Sequence, residues 1–223
     1  MATEKNSKTN KTKLNDDQII KLFMNDVLET GTDPKSVYAF CAKHKIIESD
    51  FYNFFASLDL LKQTIWLKFF ENAVSTIEKD KSFDSFSDKN KLLTLYFTLF
   101  EILTLNRSYV YLSLSINKDV LKNLKVLKLF RNHFKTYIVD TVKSSSSESC
   151  NKLTQVTDPV FSEGAWLQFL FLLKFWMEDE SKGFEKTDVL IEKSVNTVVD
   201  LLDTKPLERL FDLGKFLWKE KMQ

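Results

Sequence analysis

Residues 36–61 place two apolar helical segments on either side of a short turn, and this arrangement constrains the fold more than any other part of the sequence. The first segment ends near His44, the second runs over 49–55, and a longer helix opens at Ser57. Bulky aromatic rings on the second segment suit the packing of a short helix against a longer one. The spacing therefore predicts a helix-turn-helix.

Glycine and proline are scarce along the whole chain, with 4 Gly and 3 Pro among 223 residues. Both disfavour helix interiors, so their scarcity predicts an all-α fold with short connections. Apolar residues from Ile19 to Leu28 predict a first helix that ends at Gly31, and Asp33 and Pro34 are expected to cap and begin the second. Periodicity predicts further helices at 57–79, 89–105, 107–116, 118–143, 162–180, 186–203 and 206–222, with a loop at 144–159.

The segment from Ser36 to Leu61 also follows the order T-S-V-x-x-I-A-x-x-A-G-V-S-x-x-T-F-Y-x-Y-F-x-S-K-E-x-L. That order is typical of TetR-type transcriptional regulators, which the segment therefore resembles. Matching or similar residues are Ser36, Val37, Phe40, Cys41, Ile46, Phe51, Tyr52, Phe54, Phe55, Ser57 and Leu61. The polar composition of the N-terminus predicts a disordered tail at 1–15. The resemblance implies a helix-turn-helix domain at 16–70 and a larger helical ligand-binding and dimerisation domain at 71–223.

Several positions depart from that order where the family meets DNA. Lys45 replaces the turn glycine, which implies a strained left-handed turn or a different turn. Glu48 and Asp50 stand at the start of the recognition helix, and Leu58 replaces a lysine. Residues 16–70 carry six lysines and eight carboxylates, a net charge of −2, whereas DNA-reading domains are usually basic. The sequence therefore predicts that DNA binding is weakened or lost.

Four residues remain as predicted DNA contacts: Lys43, Lys45, Tyr52 and Asn53. Lysines neutralise phosphates, and an asparagine can read adenine in the major groove. The alternative for Tyr52 is packing against the long helix. The tail adds four lysines against one glutamate, which suits either an arm that follows phosphates or a solubilising terminus.

Aromatic residues are unusually frequent, with 20 Phe in the chain. In the C-terminal part they predict an apolar pocket for a small molecule or lipid, and the alternative is that they fill the core. The candidate pocket residues are Tyr96, Phe97, Phe100, Tyr109, Tyr111, Phe130, His133, Phe134, Trp166 and Phe169.

A basic stripe extends from Lys118 to Lys135 at helical spacing. Its members are Lys118, Lys122, Lys125, Lys128, Arg131 and Lys135. Such a stripe suits an anionic membrane surface, an acidic partner or simple solvation. The helices predicted at 162–180 and 186–203 suit either a four-helix dimer bundle, as the resemblance implies, or packing within one chain.

Catalytic and metal-binding patterns are missing from the sequence. Two Cys and two His lie far apart, no cofactor motif or metal-ligand spacing occurs, and no apolar run is long enough for a membrane span. We therefore expect a cytoplasmic, non-enzymatic protein without a cofactor. Its first interpretation is a ligand-responsive TetR-like regulator. The alternative is a TetR-fold protein without DNA binding that holds a lipid or isoprenoid at a membrane surface, or a protein partner.

Overall fold

The computed structural model describes residues 14–115, 124–143 and 154–202. The regular structure of these residues is entirely helical, with no β-strand, so the predicted all-α class is confirmed. The helices are α1 (Asp16–Thr30), α2 (Val37–His44), α3 (Glu48–Tyr52), α4 (Leu58–Ile77), α5 (Asp88–Leu105), α6 (Arg107–Ser115), α7 (Lys128–Lys143), α8 (Thr154–Glu178) and α9 (Glu185–Leu202). The helix predicted at 206–222 and most of the predicted tail lie outside the described residues.

Local capping explains where the first two helices begin and end. Asn15 caps α1 through a reciprocal hydrogen-bond pair with Gln18, and Gly31 ends α1 at φ 69°, as predicted. The prediction that Asp33 caps α2 is wrong. The cap is Ser36, whose hydroxyl accepts a hydrogen bond from the Ala39 N–H, because the Asp33 carboxylate instead pairs with Lys62 Nζ at 2.8 Å.

Two predicted boundaries are also wrong in the C-terminal part. The helix predicted at 118–143 is interrupted by a turn at Val126 and Leu127. Both turn residues are buried, and tertiary packing of this kind overrides local helix propensity. The loop predicted at 144–159 ends earlier, because α8 already begins at Thr154 and includes Pro159.

The chain divides into two compact units. Among the described residues the first contains 14–65, 108–115 and 124–126, and the second contains 66–107, 127–143 and 154–202. The first unit holds α1 to α3 around the rings of Phe23, Phe40 and Phe51, whose successive centroids lie 6.1 and 6.0 Å apart. Leu28, predicted on the apolar face of α1, is 44% exposed. Helix α4 continues through the boundary between the units.

In the second unit, α7 packs against α8, and α9 packs against α5 and α8. The turn between α8 and α9 is fixed by Asp179, which accepts hydrogen bonds from the backbone N–H groups and hydroxyls of Ser181 and Thr187. The Arg107 guanidinium stacks on the rings of Trp176 and Phe184 and donates to the Trp176 carbonyl at 2.9 Å. These contacts hold the ends of α8 and α9 in place. In the described parts, no helix has the length and apolar character that a membrane crossing requires.

Candidate functional site

The turn before α3 keeps the left-handed conformation that the family's glycine normally supplies. Lys45 adopts φ 56° and ψ 36°, and the Ile46 N–H donates to the Cys41 carbonyl at 2.9 Å. A non-glycine residue in this conformation costs about 1 kcal/mol, so the surrounding packing holds it. Of the two alternatives that the sequence left open, the strained turn is the one present. Helix α3 therefore follows α2 in helix-turn-helix order.

The outer side of α3 carries half-buried carboxylates and exposed apolar groups. Glu48 and Asp50 lie in its first turn, where carboxylates stabilise a helix N-terminus. The Tyr52 hydroxyl donates to Glu48 Oε1 at 3.1 Å, and this hydrogen bond, ahead of burial, raises the pKa of Tyr52. Ile47 is 68% exposed and Tyr52 51% exposed. Phosphates approaching this side would meet carboxylates and apolar groups.

The four predicted DNA contacts differ in their surroundings. Lys43 Nζ lies 2.6 Å from Asp26 Oδ1 and 3.5 Å from Glu29 Oε2, so much of its charge is balanced within the unit. Lys45 is exposed and forms no ion pair with the residues described. Asn53 follows the last residue of α3 and is exposed, and Tyr52 is bound to Glu48. Their role in DNA binding stays a prediction.

Asp26 joins α1 to the end of α2 and was not identified from the sequence. Asp26 is 5% exposed as a residue, and its carboxylate contacts Lys43 Nζ at 2.6 Å and His44 Nε2 at 2.8 Å. Burial alone would raise the pKa of Asp26, but the hydrogen bonds from Lys43 and His44 outweigh it and hold the pKa below its usual value. The position of α2 therefore depends on an ionised Asp26.

We expect Asp26→Asn to lower the free energy of unfolding by about 1.5–3 kcal/mol at neutral pH, because charge-assisted hydrogen bonds are lost. Because the pKa of Asp26 is lower in the folded state, the ionised carboxylate stabilises the fold at pH values above its unfolded-state pKa of 3.8. This stabilisation is lost as the pH falls through the folded-state pKa. The difference in unfolding free energy between the unmodified chain and Asp26→Asn should therefore disappear in acid, as measured by urea unfolding at several pH values. Asp84→Asn, on the surface, is the control; a gap independent of pH would contradict the role of the charge.

Seven of the ten predicted pocket residues are buried. Six of them (Tyr96, Phe100, Phe130, Phe134, Trp166 and Phe169) belong to the second unit, whereas Tyr109 belongs to the first. The Phe130 ring lies 4.8 Å from Phe169 and 5.5 Å from Trp166, measured between centroids. The Tyr96 hydroxyl donates to the Ala165 carbonyl at 3.1 Å. These rings pack directly against one another, and a role in ligand binding stays a prediction.

The other three predicted pocket residues lie on the surface. Phe97 is 39% exposed, Tyr111 is 51% exposed and belongs to the first unit, and His133 is exposed on α7. The basic stripe is also altered. Its Lys118 and Lys122 lie outside the described residues, and Arg131 and Lys135 both pair with Glu163 of α8.

A surface groove of about 500 Å³ runs between α4 and α7 in the second unit. Of the predicted ligand residues, His133 lines it. The full lining is Phe70, Glu71, Val74, Ser75 and Glu78 from α4, and Asn132, His133, Thr136, Tyr137 and Asp140 from α7. The sequence carried one signal for it: both sets follow the same spacing of one, three, one and three residues, which places each set on one helix face. Without the structure, nothing indicated that the two faces meet.

The C-terminal part of the chain matches a known protein family. A sequence profile described as "Tetracyclin repressor-like, C-terminal domain" matches residues 91–217, more than half of the chain. No curated protein sequence matches the chain significantly. The matched range does not overlap the segment at 36–61 that resembles TetR-type regulators, so two separate parts of the chain indicate the same family.

Proposed function

The chain belongs to the tetracycline repressor-like family, and on this basis we propose that it is a homodimeric, ligand-responsive transcriptional regulator whose DNA binding is weak, depends on few phosphate contacts and is measurable only at low salt. The observation that carries the proposal is the acidic start of α3 within an otherwise preserved helix-turn-helix. Glu48 and Asp50 occupy the turn of α3 that faces phosphates in the family's DNA-binding mode.

The balance of charge explains why binding is weak rather than absent. Phosphate neutralisation supplies most non-specific DNA affinity, and each lost contact lowers it. Lys45 remains available for one such contact, while Lys43 is already paired with Asp26. The tail lysines Lys5, Lys8, Lys11 and Lys13 add positive charge next to α1 in sequence. The part of the chain that contains α1 to α3, here called the head, therefore retains some attraction for DNA at low salt.

Fluorescence anisotropy of a labelled duplex from the region upstream of the protein's own gene tests this proposal. The full chain should bind at low salt and release the duplex as salt approaches physiological concentration. A folded dimer that leaves the anisotropy unchanged even at low salt would exclude DNA binding. Binding that resists salt would contradict the weak electrostatic interaction proposed.

Exposed apolar side chains on α8 are the evidence for the proposed dimer surface. Leu167 is 64% exposed and Phe171 56% exposed, and their i, i+4 spacing places them on one face of the helix. Gly164 stands one turn earlier with open space around the position of a Cβ, so it offers no obstacle to another helix. On α9, which packs against α8, Val189 is also exposed. Two such pairs of helices would bury this surface in a four-helix bundle.

We expect Leu167→Asp to convert the dimer to a monomer, because a carboxylate at the centre of an apolar interface loses its hydration without gaining a partner. Sedimentation equilibrium measures the change directly. The matched control is Leu105→Asp, which introduces the same charge at a leucine that is exposed at the end of α5 and outside this surface. If Leu167→Asp and Leu105→Asp assemble equally well, the interface lies elsewhere.

A protein partner at the head is the second candidate function. Ile47 and Tyr38 are among the most exposed large apolar residues of the first unit. Ile47 directly precedes Glu48 in sequence, and Tyr38 lies in the first turn of α2. A surface that is apolar and acidic suits a basic protein segment better than a phosphate backbone. A lipid role at the basic stripe has less support, because Glu163 already balances Arg131 and Lys135.

A further inference from the structure

The groove between α4 and α7 has the chemistry of a site for a positively charged organic ligand. We propose that it binds a small organic cation with an apolar or aromatic body. This proposal deepens the ligand response proposed above and rests on it only for its biological role, since occupation of the groove is measurable without DNA.

The shape of the groove follows from two facing helix surfaces. On α4 the lining runs from Phe70 to Glu78, and on α7 from Asn132 to Asp140, nine residues and therefore eight helical steps in each case. At a rise of about 1.5 Å per residue, each wall is about 12 Å long. A groove of this length and about 500 Å³ accommodates a ligand of one or two fused or linked rings.

The inner surface of the groove is apolar and partly aromatic. Phe70 is buried, while Val74 and Tyr137 are half-buried. The rings of Phe70 and Tyr137 lie 5.8 Å apart between centroids at an interplanar angle of 85°. Aromatic rings present a negative face to a cation and bury the carbon framework of an aromatic ligand. This surface therefore selects a ligand with an apolar body.

The rim of the groove is negatively charged. Glu71, Glu78 and Asp140 line it, and the ten lining residues include neither lysine nor arginine. All three carboxylates are exposed, and none forms an ion pair with another residue in the described ranges. Leaving His133 aside, the lining carries a formal net charge of −3. Such a rim repels anionic ligands, including phospholipid headgroups of the acidic classes, and attracts cations.

A metal ion does not account for this charge. Among the residues that the structure describes, no three His, Cys, Asp or Glu side chains come close enough together to hold a metal ion. The carboxylates are instead distributed along the groove, at both ends of the α4 wall and at one end of the α7 wall. Distributed charge beside aromatic rings matches a large cation with a delocalised charge.

The test uses a cationic N-methylpyridinium styryl dye and its uncharged pyridine parent, titrated into the full chain at mildly alkaline pH and followed by dye fluorescence. The cationic dye should bind at least about tenfold more tightly than the parent, because three nearby carboxylates favour the charged form. The triple variant Glu71→Gln, Glu78→Gln, Asp140→Asn should bring the two dyes to similar affinity. Equal binding of both dyes by the unmodified chain would overturn the proposal.

A charge-matched control separates the groove from the overall charge of the protein. Glu101→Gln, Glu180→Gln and Glu192→Gln remove three exposed carboxylates from outside the groove and should leave the affinity for the cationic dye unchanged. Val74→Trp should weaken both dyes by filling the groove. If the groove variants bind the cationic dye as the unmodified chain does, the site is elsewhere. DNA binding, measured separately by anisotropy, decides the proposed regulatory function independently of this result.

Discussion

The double substitution Glu48→Lys, Asp50→Lys is expected to raise DNA affinity on the order of 100-fold at about 0.1 M salt. Each new phosphate contact contributes about one factor of ten at that salt, because the logarithm of the binding constant falls by about 0.9 per contact for each decade of salt. Both residues lie in the first turn of α3, and the strained turn at Lys45 already holds that helix in helix-turn-helix order. The geometry is present, so charge is the property that the substitutions change.

The control for this prediction adds the same charge away from the head. Glu101→Lys and Glu180→Lys change two exposed glutamates of the second unit and should raise affinity far less. Circular dichroism confirms that both double variants remain folded. An unchanged affinity in the α3 variant, with the fold intact, would show that the geometry of the head and not its charge prevents DNA binding.

Phe130→Ala is expected to lower the free energy of unfolding by about 3–5 kcal/mol, the usual cost of removing a fully buried aromatic ring. Phe130 is 1% exposed and lies at the centre of the ring cluster, with Phe70, Phe169 and Trp166 at centroid distances of 5.4, 4.8 and 5.5 Å. No neighbouring ring can fill the space without leaving its own contacts. Urea unfolding followed by circular dichroism measures the loss.

Phe97→Ala provides the matched control, because it removes the same side chain from a position that is 39% exposed on α5. Its cost should stay below about 1 kcal/mol, as for most surface substitutions. If Phe130→Ala is as mild as Phe97→Ala, the rings of the second unit surround a compressible space, and the pocket predicted from the sequence regains support.

The order of α2, the turn and α3 was accessible from the sequence because its determinants are local. Gly31 after α1 and the aromatic set around Phe51 act within a few residues of their own position, and the buried stripe of α4 from Leu61 to Ile77 repeats at helical spacing. Asp33 misled the assignment of the α2 cap, because its partner Lys62 is 29 residues away. Capping preferences do not anticipate a competing long-range ion pair.

The groove and the turn at Val126 could not be predicted from the sequence. The aromatic residues were correctly recognised as exceptional, yet composition does not distinguish rings that surround a cavity from rings that fill it. The sequence does not distinguish Glu71 and Asp140 from other surface residues, since exposed carboxylates on a helix usually face only solvent. Their meaning depends on α4 and α7 lying side by side, which is a property of tertiary packing.

The salt dependence of DNA binding tests the central claim most directly. The slope of log K against log salt, measured by anisotropy on the same duplex, reports how many phosphates a protein neutralises. The unmodified chain should give a shallow slope, and Glu48→Lys, Asp50→Lys should steepen it by about two contacts, or about 1.8 in the slope. Identical slopes for the two proteins would contradict the conclusion that the acidic start of α3 limits DNA binding.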